Sequence, residues 1–205
     1  MYPTAEVRWF RSGPLPHPVE VWFRTHGPLA HRERARVDHY VHPAGHDGLN
    51  AKLRQGRLEI KRRTSVEGKR QFAEEAVGRV ERWRKWSFSI CSSAESGMAS
   101  IATSADRVAV TKERLLKTYG SRASDKVSAR PADEGCDMEL TRVEALGQTW
   151  WTVALEAFGK EAALLANLVA VAEEALAPPC PVPLGPGDSR GYAGWLDALS
   201  REEGV

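Results

Sequence analysis

The chain has 205 residues, of which 42% are hydrophobic and 27% charged. This length suits one domain with a substantial core and excludes two full domains. The formal net charge of +2 argues against a nucleic-acid-binding arm or a membrane-surface patch. No stretch reaches the roughly 18 continuous apolar residues of a membrane span, and the first residues lack the apolar core of a signal peptide.

Residues that alternate between polar and apolar with a period of two predict β-strands along most of the chain. The predicted strands cover residues 6–11, 32–42, 49–54, 57–63, 81–90, 108–119, 136–143 and 150–158. The third and fourth strands meet at Gln55 and Gly56, and the last two meet at Gly147. Both connections predict antiparallel hairpins.

Apolar residues at helical spacing predict four helices, at residues 18–26, 68–80, 159–177 and 192–203. The helix at 68–80 depends on Phe72, Ala73, Ala76, Val77 and Val80. Polar, turn-rich composition predicts loops at 92–100 and 121–135 and a Pro-rich tether at 178–187. The sum is an α+β domain in which a strongly curved antiparallel sheet or barrel carries helices on its outside.

The predicted strand at 57–63 has an unusual face, because Glu59, Lys61 and Arg63 all point to the same side. An ordinary half-buried strand has one apolar face and one loosely polar face. Several other predicted strands repeat the mixture of a carboxylate with cations. An open sheet with one solvated face would explain these charges, and so would the interior of a closed barrel.

The order of the charged motifs resembles that of the CYTH-like, triphosphate tunnel metalloenzyme superfamily, over most of residues 5–158. The motifs are Glu-x-Arg at 6–8, Asp-x-Tyr at 38–40, Lys-Leu-Arg at 52–54, Leu-Glu-Ile-Lys at 58–61, Val-x-Lys-x-Arg at 110–114, Leu-Thr-Arg-Val at 140–143, Leu-Gly at 146–147 and Val-x-Leu-Glu at 153–156. The resemblance implies a closed or nearly closed eight-stranded antiparallel tunnel with helices packed outside. We expect residues 1–177 to form this tunnel domain, and 178–205 to add the tether and a short helix that packs on it.

The resemblance also implies a small anionic ligand, such as a triphosphate, bound in the tunnel by arginines and lysines. The residues that match these positions are Arg8, Lys52, Arg54, Lys61, Arg63, Lys112 and Arg114. Carboxylates would hold Mg²⁺ or Mn²⁺, and the residues in those positions are Glu6, Glu59 and Glu156. Glu139 is a further carboxylate that could balance the cations. No residue is predicted to be catalytic.

The first strand departs from the family pattern of Glu-x-Glu-x-Lys, because Arg8 and Phe10 stand where the family has its second Glu and its Lys. Thr141 also stands where the family usually has Asp. A guanidinium in place of a carboxylate weakens cation binding and strengthens anion binding. We therefore expect a divergent member that binds a phosphorylated or polyanionic ligand. The alternative is a metal-dependent triphosphatase, in which water or an internal hydroxyl would attack.

Simpler explanations remain for several of these features. Glu6 and Glu156 could be salt-bridge partners of Arg8 or Lys112 instead of metal ligands. Six histidines lie within the first 46 residues, but they lack the Cys or acidic partners of a recognised zinc site, which favours surface or partly buried side chains. These residues are His17, His26, His31, His39, His42 and His46.

Interaction partners are less well defined by the sequence. The basic residues at 69–70 and 82–85, with interleaved tryptophans, could bind single-stranded nucleic acid, but the near-neutral net charge favours an ordinary strand or helix face. The apolar stripe at 164–172 is expected to pack against the barrel, and a homodimer face is its alternative. Cys91, Cys136 and Cys180 are far apart, which favours free thiols and a cytoplasmic location.

Overall fold

The structure is a computed structural model, and it describes residues 1–41, 45–54, 56–89, 107–120 and 133–202. The predicted loop at 92–100, most of the predicted loop at 121–135, Gln55 of the first hairpin, His42 and Cys91 lie outside these residues. Within the described ranges, no helix has the length and apolar character needed to cross a membrane.

The described chain contains nine strands and three helices. The strands are β1 Tyr2–Ser12, β2 His31–Arg32, β3 Arg36–Val41, β4 Leu49–Arg54, β5 Arg57–Ala73, β6 Ala76–Ser89, β7 Arg107–Gly120, β8 Gly135–Ala145 and β9 Gln148–Phe158. The helices are α1 His17–Thr25, α2 Leu164–Leu176 and α3 Tyr192–Glu202.

Eight strands close into an antiparallel barrel in the order β7-β3-β4-β5-β6-β1-β9-β8, because β8 pairs back onto β7. The β7–β8 register runs from Val110 opposite Ala145 to Gly120 opposite Gly135. The two-residue strand β2 pairs with β7 beside β3, at Leu115 and Leu116. The predicted fold class, an α+β domain built on a closed eight-stranded antiparallel barrel, is confirmed.

Strand alternation divides the barrel into a polar interior and an apolar exterior. On β1, Val7 and Trp9 belong to the main hydrophobic core outside the barrel, whereas Glu6 and Arg8 point inward and line its cavity. Helix α2 covers the exterior, with Leu168 fully buried in the same core. The stripe at 164–172 therefore packs against the barrel, as expected.

The predicted helix at 68–80 is wrong, because β5 and β6 form a hairpin there that turns at residues 74–75. Phe72, Ala76 and Val80 are all buried. Their spacing of four residues matches a helix repeat. In the structure Phe72 lies on β5, whereas Ala76 and Val80 lie on β6, where an even spacing places both side chains on one face. The two predictions cannot be separated by spacing alone, and cross-strand pairing with β5 decides the outcome.

Helix α3 closes one end of the barrel. A second core of buried side chains lies between this helix and the inward-facing ends of the strands. Its centre is the ring of Trp195, which stacks on Phe10 with 4.7 Å between centroids and an interplanar angle of 5°. The preceding segment is also held to the barrel: the amide of Leu184 donates to the carbonyl of Glu75 at 2.8 Å.

Candidate functional site

A cavity of about 860 Å³ lies inside the barrel. Among the described residues, ten lining side chains are basic and seven are acidic. The basic ones are Arg8, Arg36, Lys52, Arg54, Arg57, Lys61, Lys85, Lys112, Arg114 and Lys160. The acidic ones are Glu6, Glu59, Asp133, Glu134, Asp137, Glu139 and Glu156. The lining therefore carries an excess of basic side chains.

The barrel brings most of the predicted site residues together in this cavity. Those that line it are Glu6, Arg8, Lys52, Arg54, Glu59, Lys61, Lys112, Arg114 and Glu156. Arg63 is not among the lining residues. Its guanidinium donates to Asp47 at 2.7 Å and to Glu81 at 3.0 Å.

Asp38 lies behind one wall of the cavity and is completely buried. Its carboxylate is 3.1 Å from the ammonium of Lys112, 3.3 Å from that of Lys52 and 3.4 Å from the guanidinium of Arg36. Burial alone would raise the pKa of Asp38, but Lys112 and Lys52 hold it well below its ordinary value. Asp38 is therefore a fixed anion that supports three cations.

Glu59 plays a similar part on β5, which is separated from β3 by β4. Its carboxylate is 2.9 Å from Arg54, 3.2 Å from Lys52 and 3.6 Å from Lys85. Arg57 donates to the hydroxyls of Ser87 and Ser89 instead of to a carboxylate. Cations on this side of the cavity therefore outnumber the carboxylates that contact them.

We define the basic wall as five side chains from β4, β5, β6 and β7: Lys52, Arg54, Arg57, Lys85 and Lys112. Among the described residues, only Asp38 and Glu59 form ion pairs with them. With all five side chains protonated, the wall carries three more positive charges than these two carboxylates balance. Burial and the neighbouring Lys52 lower the pKa of Lys112 well below its ordinary value, although Asp38 opposes this. An anion bound there would stabilise the protonated amine.

A second group of charged side chains in the cavity is balanced. The guanidinium of Arg8 lies between Glu6, at 2.8 Å, and Glu139, at 3.0 Å. Lys61 forms an ion pair with Glu6 and another with Glu156, at 3.1 Å. Burial alone would raise the pKa of Glu6, but attraction by Lys61 and Arg8 lowers it to about 2. These carboxylates are therefore salt-bridge partners of cations within the barrel.

The three glutamates predicted to bind metal do not fit a resident divalent cation in this arrangement. Glu6 and Glu156 share the ammonium of Lys61, and Glu59 is held by cations of the basic wall. A metal ion would have to compete with these groups for the same oxygens. In the described ranges, no group of three or more His, Cys, Asp or Glu side chains is arranged to hold a metal ion.

The floor of the cavity is aromatic and belongs to α3. The ring centroid of Tyr192 lies 3.6 Å from the ammonium of Lys112 and 4.9 Å from the guanidinium carbon of Arg8. Lys112 also donates to the hydroxyl of Tyr40 at 2.6 Å. One cation of the basic wall is thus held against the closed end of the barrel.

Sequence reasoning missed several of these residues. Strand alternation could have found Arg36 and Lys85, because they share faces with Asp38 and Trp83 on β3 and β6. No local pattern marks Tyr192, which reaches the cavity only because α3 closes the barrel end. The described histidines, His17, His26, His31, His39 and His46, are all exposed, as expected.

The site therefore belongs to a closed antiparallel barrel with a charged internal cavity. The fold is similar to that of PH1819, a protein of solved structure from Pyrococcus horikoshii OT3, with a TM-score of 0.50. The two chains are 13% identical, and the match covers 97% of this chain and 99% of that one. At this identity the likeness shows the fold alone. No family model and no curated protein matches the chain.

Proposed function

We propose that this protein binds a phosphorylated or polyanionic ligand, such as a triphosphate, in the barrel cavity. The observation that carries the proposal is the basic wall: within the described ranges, Lys52, Arg54, Lys85 and Lys112 pair with only two carboxylates, and Arg57 pairs with none. Phosphate oxygens accept charge-assisted hydrogen bonds from lysine and arginine, and these bonds are strongest where little water competes. The excess charge is thus suited to a ligand with several negative charges.

We also propose that the protein is a divergent member of the CYTH-like, triphosphate tunnel superfamily. The support is the order of the charged motifs together with the closed barrel into which most of those residues point. The proposed ligand binds without a resident metal, because Glu6, Glu59 and Glu156 are held by cations. Arg8, Lys61 and Arg114 act mainly as partners of these internal carboxylates and of Glu139.

The test is titration calorimetry with tripolyphosphate in buffer that contains a chelator. Lys85→Gln leaves Glu59 with Lys52 and Arg54 as partners, so the fold is retained while one wall charge is removed. We expect this variant to bind on the order of tenfold more weakly than the parent, because a charge-assisted hydrogen bond is lost.

Arg62→Gln is the matched control, since Arg62 is an exposed residue of β5 outside the set that lines the cavity. It should bind like the parent. Absence of binding by the parent, or an equal loss in Arg62→Gln, would overturn the proposal. The enzymatic alternative predicts phosphate release from tripolyphosphate or ATP when Mg²⁺ or Mn²⁺ is added. Such release would replace the binding proposal.

A further inference from the structure

The strand β5 extends beyond the strand that pairs with it on one side. Residues 57–62 pair with β4, whereas β5 pairs with β6 along its whole length. The amide of Arg63 still donates to the carbonyl of Gly48 at 2.8 Å. After Arg63, no strand lies on the β4 side of β5 in the part of the chain that the structure describes. Residues 64–71 therefore form a free strand edge, which we call the β5 edge.

The β5 edge is open to solvent on both faces of the sheet. All six residues at 66–71 are exposed. Side chains alternate between the two faces, so a strand that is packed on one face has every second residue buried. Gly78 and Val80 of β6, which lie opposite Arg70 and Gly68, are buried in this way. Another chain could therefore reach the backbone of the β5 edge without displacing a buried side chain.

The charges of the β5 edge decide which kind of chain fits it. Lys69 and Arg70 form no ion pair with another described residue. The carboxylate of Glu67 is already held by the guanidinium of Arg82 at 2.8 Å. A second copy of this protein would add the same cations, and like charges that face each other destabilise a strand pair. An acidic chain would add opposite charges, which stabilise cross-strand pairs.

Irregularities in β5 limit the length of the strand that can be added. The register between β5 and β6 shifts between Val66 and Gly68 and again between Gln71 and Ala73. Such bulges bend a strand and interrupt regular pairing. Residues 68–71 lie between the two shifts and keep an unbroken register with β6. They are therefore the part of the β5 edge that can pair regularly with another strand, and they contain both cations without ion pairs.

We infer that the β5 edge is a docking site for an extended acidic peptide segment of a partner protein. The segment adds a short strand to the sheet, because an unpaired strand edge is a template for pairing with another chain. Backbone hydrogen bonds to residues 68–71 supply affinity, and carboxylates that contact Lys69 and Arg70 supply the choice of partner. Neither cation is among the described residues that line the barrel cavity, so this site is separate from the one proposed above.

The experiment measures binding of fluorescein-labelled peptides of about eight residues to the full-length protein by fluorescence anisotropy. The probe alternates Glu with Val. One control peptide alternates Lys with Val and reverses the charge. The other alternates Glu with Pro, which keeps the charge but prevents a strand, because proline lacks the N–H and fixes φ. We expect the Glu-Val peptide to bind on the order of tenfold more tightly than either control.

Protein variants locate the binding site on the surface. The double variant Lys69→Gln/Arg70→Gln should weaken binding of the Glu-Val peptide on the order of tenfold, because both opposite-charge contacts are lost. Arg34→Gln removes an exposed cation between β2 and β3 and should bind like the parent. Lys85→Gln, in the barrel cavity, should also bind like the parent.

Three outcomes would overturn the inference. Equal binding of the Glu-Pro peptide would show attraction between charges without strand addition. Unchanged binding in the double variant would place the peptide elsewhere on the protein. A parent protein that sediments as a dimer and excludes the Glu-Val peptide would assign the β5 edge to a second copy of the chain.

Discussion

Asp38 determines how cations can accumulate on one wall without unfolding the barrel. An isolated buried carboxylate would be very costly, but Asp38 is surrounded by Arg36, Lys52 and Lys112. In turn, the carboxylate offsets part of the repulsion among these cations. The remaining positive charge is directed into the cavity, so the same residue supports the fold and leaves the anion site charged.

Asp137 gives a pH-dependent prediction. Burial raises its pKa to about 6 from an ordinary 3.8; the Thr118 hydroxyl and Arg114 oppose the shift, and Glu139 and Glu156 add to it. Between these values the folded protein holds a proton that the unfolded chain has lost. The free energy of unfolding therefore falls as pH rises from about 4 to about 6.

Asp137→Asn should remove this decrease in the free energy of unfolding, because the amide does not titrate. At pH 8 the variant should be more stable than the parent by about 1 kcal/mol, after allowance for solvent screening of this partly exposed side chain. At pH 4 the two proteins should unfold at the same urea concentration. A stability difference that is the same at both pH values would contradict the assignment.

Among the strands, β6 packs tightly against side chains of β1 at Gly78. A Cβ at this position would lie 2.4 Å from a methyl of Val7 and 2.6 Å from the ring of Trp9. The ring has little freedom to move, because its indole nitrogen donates to the carbonyl of Val77 at 2.9 Å. Gly78→Ala should therefore lower the free energy of unfolding by about 1–3 kcal/mol.

Urea denaturation of Gly78→Ala beside Gly120→Ala tests this prediction. A Cβ at Gly120, at the end of β7, would meet no described atom within 4 Å. The control should therefore unfold like the parent. Equal losses in the two variants would show that the cost comes from removing strand glycines in general, and not from the contact with Val7 and Trp9.

The elements differ in how well sequence patterns predicted them. The turn between β8 and β9 was predictable, because Gly147 favours the positive φ of 71° that it adopts there. The hairpin of β5 and β6 was not, because the apolar spacing of Phe72, Ala76 and Val80 fits a helix and does not reveal the turn at residues 74–75. The long antiparallel pairing of β5 with β6 determines that this segment is a hairpin. A pattern within one segment contains no information about its partner strand.

For the whole molecule, sequence alternation predicted which side chains point inward but not which of them meet. Glu6 and Glu156 are 150 residues apart in the chain, yet they are opposite each other in the β1–β9 register. Their shared contact with Lys61 follows from barrel closure, not from any motif. Closure also brings Tyr192, from the last described helix, against Arg8 of the first strand. The division of the charged residues into a basic wall and a balanced group is therefore a tertiary property.

The same long-range closure makes α3 a major contributor to stability. Trp195 stacks on Phe10 and makes edge contacts with Trp150 and Tyr192, at centroid distances of 5.9 and 5.8 Å. Trp195→Ala should lower the free energy of unfolding by about 3–5 kcal/mol, because a large buried ring is removed and a void remains. Trp195→Phe should cost only about 1 kcal/mol. It keeps a stacking ring, and the indole nitrogen that it removes has no hydrogen-bond partner among the described residues. Urea denaturation measures both values, and equal losses would show that ring stacking at the barrel end is not the source of the stability.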